Sequence, residues 1–371
     1  MLDLFILRVS TYVYHLLSKV LYLPMLDDLK FIHQRDGQDA LGIAEKQWQQ
    51  LEHEFELPDL RSQISDLRFS NIVYAGMGGS ALAALLSKTW PGYPLPFEVI
   101  RQYHIPKYVS PNTLFIVSSY SGNTEEELTT IAEAEKTGAT IVVMASGGRL
   151  YDIARRKGFP LMEIPDVHQP RFAVFSDFKA LCTILMAAGL LDEAETQAEL
   201  AKAAEFLKDA VKQWLPTVPM DKNPAKKLAF ELAGNSIAIY GGPLMAPAAY
   251  KFKIDINENA KNVAWWNELP EFDHNELIGW SSHPIEKPYA IVNLISKLEH
   301  PRVKKRFEVA EKLLSGRRPM ANNVEVQGDS LLSQLLWAVN FADFTSIYLA
   351  LLNNQNPTPV DLVEKFKTEL G

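Results

Sequence analysis

Three hydroxyls crowd one glycine in "VSSYSGNTEEEL": Ser119, Ser121 and Thr124. The run leaves an apolar segment, "TLFIVS", and enters an acidic, helix-forming one. Hydroxyls combined with free backbone N–H groups at a helix start make a site for a phosphate monoester. Capping the helix needs only one of them. Thr124 or Asn123 would serve as N-cap, and Glu127, three residues past Thr124, would complete a capping box. A second glycine loop lies upstream in "NIVYAGMGGSALAALL", where Gly76, Gly78 and Ala81 fit the dinucleotide fingerprint G-x-G-x-x-G/A. That fingerprint also wants an acid at the end of the following strand, to bond a ribose hydroxyl. Here "FEVIRQ" ends in Arg101 and Gln102, and Glu98 lies near its start. The loop therefore suits something smaller, and Ser80 adds a fourth hydroxyl beside it.

The elements that must position these residues follow from the pattern. Apolar, β-rich runs "NIVYAG", "FEVIRQ", "TLFIVSSY", "TIVVMAS" and "PLMEI" alternate with helical runs "SALAALLSKTW" and "TEEELTTIAEAEKTG". Alternation of this kind predicts a parallel sheet covered on both faces. Two neighbouring strands would then aim their loops at one anion. A long charged helix, "DEAETQAELAKAAEFLKDAVKQWL", leads to the Pro-rich joint "PTVPMDKNP". A second alternation opens with "SIAIYGGPLMAPAAYKFKIDI", repeating strand, glycine turn and helix without the serine of the first loop. "KPYAIVNLI" and "NNVEVQG" supply further strands, and "SLLSQLLWAVNFADFTSIYLALL" a long apolar helix. The expected fold is α/β, with two similar doubly wound parallel-sheet domains.

Composition narrows the class. A chain of 371 residues with 47% hydrophobic and 22% charged residues supports two ordinary soluble domains. A formal charge of −8 argues against non-specific nucleic-acid binding. The single cysteine, Cys182, lies among apolar residues in "KALCTILMAAGLL" and reads as a buried structural thiol; it allows no intrachain disulfide and points to a reducing compartment. The first 24 residues are greasy, with Leu2, Ile6, Val9, Val13, Leu16 and Val20 spaced as a helical seam. Asp3, Arg8 and Lys19 interrupt that run short of a membrane span, and no cleavage site follows. Met25 opens an ordinary start, so the expectation is an added helix or an upstream start codon, with no membrane role.

Taken in order, "GMGGS", "SYSGNTEE", "HQPR" (168–171), "NENAK" (257–261), "PEFDHNE" (270–276) and the terminal "VEKFKTEL" resemble the bifunctional phosphoglucose/phosphomannose isomerase family, built from two sugar-isomerase (SIS) domains. The resemblance runs from Met25 onward. It implies a first SIS domain over 25–190, carrying the phosphate loops, and a second over 191–371, carrying the catalytic residues, with 1–24 as an extension. It implies aldose–ketose interconversion of glucose 6-phosphate, fructose 6-phosphate and mannose 6-phosphate, in the cytoplasm, without metal or other cofactor. Phosphate would be held by Gly79, Ser80, Ser119, Ser121 and Thr124. Arg171 would stabilise charge on a developing enediolate. Glu258 would carry the proton between C1 and C2, His274 would open the ring, and Lys367 would complete the site. Without the family match, each has a plainer reading: a surface arginine after proline, a glutamate pairing with Lys261, a loop histidine and an exposed terminal lysine. The resemblance also implies a homodimer whose sites combine Glu258 of one chain with His274 of the other, and "NVAWWNELPEF" is apolar enough to serve as its interface.

Two other functions compete. A non-catalytic phosphosugar-binding SIS regulator would need the phosphate loop but not Glu258, His274 and Lys367. A nucleotide-dependent oxidoreductase is disfavoured by "VIRQ".

Overall fold

Two wholly parallel sheets organise the chain. The computed structural model describes residues 25–55, 60–64, 67–281 and 288–370; the helix expected over 1–24 lies outside them. In the first sheet, β1 (Asn71–Gly76), β2 (Phe97–Ile100), β3 (Thr113–Ser118), β4 (Thr140–Ala145) and β5 (Leu161–Glu163) stand in the order β2-β1-β3-β4-β5. Side chains alternate across it, as the two-residue period of a strand requires. Ile72, Tyr74, Leu114, Ile116, Val142 and Met144 enter one apolar cluster, while Val73, Ala75, Phe115, Val117, Ile141 and Val143 enter another. Burial on both faces is why these runs read as continuous apolar stretches.

The chain leaves β1 toward β2 on one side and returns to β3 on the other. The switch point therefore falls between β1 and β3, where ligands of open α/β sheets bind beyond the carboxyl ends of the strands. Gly76 pairs with Ser118 at those ends. The glycine loop and the hydroxyl loop thus start side by side.

The second sheet repeats the plan with β6 (Ser236–Gly241), β7 (Ala264–Glu268), β8 (Tyr289–Ile295) and β9 (Asn322–Glu325), ordered β7-β6-β8-β9 and again parallel. Strand β7 is the "AWWNE" of the tryptophan-rich run expected as an interface. Trp265 packs edge-on to Tyr289, and Trp266 lies beside Tyr250. Its polar Asn267 and Glu268 hide the strand from a search for apolar runs, although tryptophan suits a sheet.

Each sheet belongs to its own compact unit: Lys46–Lys208 with Ser330–Ser333, and the residues up to Glu45 with Asp209–Asp329 and Gln334–Gly371. These units are drawn differently from a boundary at residue 190. The lead-in before Glu45 joins the second sheet's unit because Asp27 pairs with the buried Lys226 at 3.0 Å and Asn340 donates to the Ala44 carbonyl at 2.9 Å. The charged helix Glu193–Ala210 stays largely with the first sheet, tied by Arg61 to Glu193. The helix Leu331–Leu352 is long and apolar enough to cross a membrane, but its most apolar 18-residue window is entirely buried, and Lys251 bonds its Asp343. It is a core helix.

Candidate active site

The first sheet's switch point is built from short polar contacts. Thr124 is the residue before helix Glu125–Thr137, yet its side chain makes no cap bond. Its hydroxyl instead lies 2.8 Å from Ser119 Oγ. The expected capping box is therefore absent, because Thr124 is drawn into a hydroxyl pair. Asn123 does not cap that helix either: its Oδ1 accepts from the Arg149 N–H at 3.1 Å. Ser119 Oγ also accepts from the Gly122 N–H at 3.1 Å. Gly122 has φ of 66°, and a Cβ there would sit 1.8 Å from the Gly147 carbonyl oxygen. Only glycine permits that turn and that approach.

From the adjoining loop, Ser80 Oγ accepts from the Tyr120 N–H at 3.1 Å, which joins the two loops directly. Ser80 and Ser119 are buried, Thr124 is half-buried and Ser121 is exposed. Ser121 Oγ accepts from the Asn123 N–H at 3.3 Å. Gly79 packs so closely on the 170–171 backbone that a Cβ would meet Pro170 and Arg171 at 2.9 Å. That contact brings the "HQPR" segment to the glycine loop.

Arg171 is fully buried, contrary to its plain reading as a surface residue. Its Nη1 donates to Gln169 Oε1 at 3.1 Å, and its guanidinium lies 4.8 Å from the centre of the Phe172 ring. A buried arginine is retained where its rigid donors have work to do. Ser80, Ser119 and Thr124 with Gly79 and Arg171 are thus gathered in one unit.

Three residues beside them escaped the sequence reading. Tyr74 is wholly buried and donates to the Ser80 carbonyl at 2.9 Å. Tyr120 donates to Asp166 Oδ1 at 2.6 Å and accepts from the Val167 N–H at 2.7 Å, tying the hydroxyl loop to the segment before Arg171. Asp177, 1% exposed, has neither carboxylate oxygen hydrogen-bonded, and burial pushes its carboxyl well above the carboxylate range. Their one sequence signal was polarity inside apolar runs. Tyr74 stands among the apolar residues of "NIVYAG", and Asp177 follows Ser176 in "VFSDF".

The acid wanted by a dinucleotide has no counterpart. Strand β2 ends at Ile100, and Glu98 accepts a hydrogen bond from Tyr108.

Glu258, His274 and Lys367 stand in the other unit, on three separate elements. Met245, Ala249, Phe252 and Ile256 are buried, as their spacing predicts, and Glu258 closes helix Ala246–Glu258 off that stripe. Lys261 Nζ donates to the backbone carbonyls of Glu258 (2.9 Å), Asn356 (2.6 Å) and Pro357 (3.0 Å). A lysine here satisfies carbonyls left over at the helix end. The next residue, Asn259, donates to Ser346 Oγ at 2.9 Å in the core. His274 is exposed in the turn Glu271–His274, which buried Phe272 and the pair of Asp273 with Arg306 (2.7 Å) anchor. Lys367 lies on helix Asp361–Leu370, none of whose residues is buried, and its Nζ pairs with Glu364 Oε1 at 2.7 Å. The structure therefore gives Lys367 an exposed intrahelical partner rather than Glu258 or His274.

The second sheet has a corresponding switch point, between β6 and β8. Its glycine loop is occupied by a carboxylate of the chain itself. Glu299 Oε2 accepts from the Leu244 N–H at 3.1 Å, and a Cβ on Gly242 would lie 2.3 Å from it. This loop has no serine, and an internal carboxyl group takes the Leu244 N–H.

Comparison with known proteins agrees with this geometry. Residues 221–370 match the bacterial phospho-glucose isomerase C-terminal SIS domain. The bifunctional phosphoglucose/phosphomannose isomerase of Caldicellulosiruptor bescii is 34% identical over 304 residues, covering 81% of this chain and 89% of that protein. The enzyme of the same name from Aquifex aeolicus is 30% identical over 321 residues, covering 86% and 95%. Among solved structures, a glucose-6-phosphate isomerase like protein from Thermus thermophilus superposes with a TM-score of 0.62 at 20% identity, over 92% of this chain and 98% of that one. The paired doubly wound sheets, the hydroxyl loop at the first switch point and identity at this level over most of both chains place this protein in the bifunctional phosphoglucose/phosphomannose isomerase family.

Proposed function

We propose that this chain interconverts glucose 6-phosphate and mannose 6-phosphate with fructose 6-phosphate. The observation that carries the reading is the cluster of Ser80, Ser119 and Thr124 at the β1/β3 switch point, in a chain of this family. Hydroxyls, backbone N–H groups and the start of helix Glu125–Thr137 suit a phosphate monoester. Gripping the phosphate lets remote binding energy position the carbons that react. Ser121 and Gly79 complete the loop. Arg171 offers a buried cation to an enediolate. Glu258 takes the proton from one of C1 and C2 and returns it to the other, His274 serves ring opening, and Lys367 assists.

The active form in this reading is a homodimer, with Glu258 and His274 drawn from different chains. Supporting it, Leu362, Val363, Phe366 and Leu370 make an apolar face of the terminal helix that is exposed in the single chain. Cys182, buried and with its thiol pushed up to about 12 by burial, suits a reducing cytoplasm.

Purified protein given fructose 6-phosphate should form both aldose phosphates, with EDTA present as well as without. Glu258→Gln keeps size and polarity but removes the base, and should abolish exchange of solvent deuterium into C1 and C2. Absence of turnover by the wild type would refute the activity. Exchange at an unchanged rate in the variant would move the base to another residue.

A further inference from the structure

Behind the hydroxyl pair, on the first turn of helix Glu125–Thr137, lies Glu127. It is 1% exposed, and its Oε2 has no hydrogen-bond partner. Burial pushes the carboxyl up to about 7; the Glu126 charge adds to this, while its own backbone N–H and the Thr124 hydroxyl hold it back. The other neighbours contribute little charge. Strands β3 and β4 carry no titratable residue, and Arg149, Tyr151, Asp152, Arg155, Arg156 and Lys157 of the packed helix Gly148–Lys157 do not shift it. On β1, Tyr74 is raised by burial and by both Asp177 and Glu127.

The hydrogens at this spot can be counted. Thr124 and Ser119 have one hydroxyl hydrogen each, and their oxygens are 2.8 Å apart. If Glu127 is ionised, it accepts the Thr124 hydrogen, Thr124 accepts that of Ser119, and neither of these two hydrogens faces the loop opening. If Glu127 is protonated, its O–H donates to Thr124 Oγ1 and the chain of donors reverses. At least one hydroxyl hydrogen is then free to face outward. An ionised carboxylate would also repel a phosphate dianion bound in front of it.

Resting on the reading that this loop takes a sugar phosphate, we propose that Glu127 is a positioning residue whose carboxylic-acid hydrogen turns the Thr124 and Ser119 hydroxyls toward the phosphate, so that binding takes up a proton. The sign follows from linkage. The competent form of Glu127 is protonated, so its contribution to binding the phosphate dianion is full below about pH 6 and declines as pH rises through about 7.

Glucitol 6-phosphate, an open-chain polyol phosphate with no carbonyl to isomerise, is the probe. Calorimetric titration at pH 8 in buffers of different ionisation enthalpy reads proton uptake directly. At that pH the probe is already a dianion, because its second pKa is about 6. The wild type should take up close to one proton per site, and Glu127→Gln none. Wild-type affinity should fall about tenfold per pH unit above pH 8, while the variant, with a permanently neutral donor, stays level. No uptake by the wild type, or equal uptake by both proteins, overturns the proposal. The wild-type measurement decides alone if the variant does not fold. Failure of both proteins to bind the probe at any pH would remove the phosphate reading and this proposal with it.

Discussion

At the residue scale, the hydroxyls of the first switch point are not equivalent. Ser119 and Thr124 share a hydrogen bond and are buried and half-buried, whereas Ser121 is exposed. A hydrogen bond to a charged group is worth about 1.5–3 kcal/mol, so each of Ser119→Ala and Thr124→Ala should weaken glucitol 6-phosphate binding roughly 10- to 150-fold. The double variant should lose less than the product of the two, because each hydroxyl orients the other. Both variants should keep the wild-type circular dichroism spectrum, since neither hydroxyl caps the helix. Binding that is unchanged on calorimetry would remove the phosphate assignment. Tight binding of NAD would restore the dinucleotide reading that Arg101 and Gln102 disfavour.

At the element scale, the helix that ends at Glu258 is held to the core by charge as well as by apolar contact. Lys251, fully buried, bonds Asp255 one turn along its own helix and Asp343 of helix Leu331–Leu352 at 2.7 Å. Burial alone would lower the lysine, but the two carboxylates outweigh it and the ammonium is held above its ordinary value. Such a triad fixes register between the two helices, because sliding either one strands a buried charge. Asn259 to Ser346 and Asn353 to the Ala260 carbonyl continue the tie past the helix end. Lys251→Met should destabilise the chain by about 3–5 kcal/mol, read by urea denaturation, since it leaves two carboxylates without their cation. A loss below about 1 kcal/mol would show that the carboxylates find protons or water at little cost, and that apolar packing alone sets the register.

At the scale of the whole molecule, one architecture has been used twice to different ends. In one sheet the glycine loop is flanked by serine and threonine; in the other it is filled by Glu299. If the active form is a two-fold dimer with shared sites, two inactive variants should complement each other. Glu258→Gln and His274→Ala, mixed after dissociation, pair at random, so half of the dimers are mixed and each rebuilds one of its two sites. Activity should recover to about a quarter of wild type. A mixture that stays inactive, with subunit exchange confirmed by mass spectrometry, would place both residues of each site on one chain.

Much of this was legible along the chain. Runs such as "NIVYAG" and "TIVVMA" form β1 and β4 because β-branched and apolar residues flanked by helices suit a sheet buried on both faces. The glycine and hydroxyl loops were equally plain, since φ above zero and hydrogen-bonding side chains are local properties. Strand β7 was not legible: Asn267 and Glu268 break the apolar pattern, and pairing with β6 decides its state. Nor was the fate of Thr124, whose spacing to Glu127 fits a capping box while its partner became Ser119. Without the family resemblance Arg171 would read as a surface residue, and Glu127 read as part of a helix cap, yet both are buried. The sequence by itself determined which residue types were present and which strands and turns could form. Only the tertiary structure decided which polar groups lost water and which partner each then found, because burial and pairing are set by residues distant in the chain.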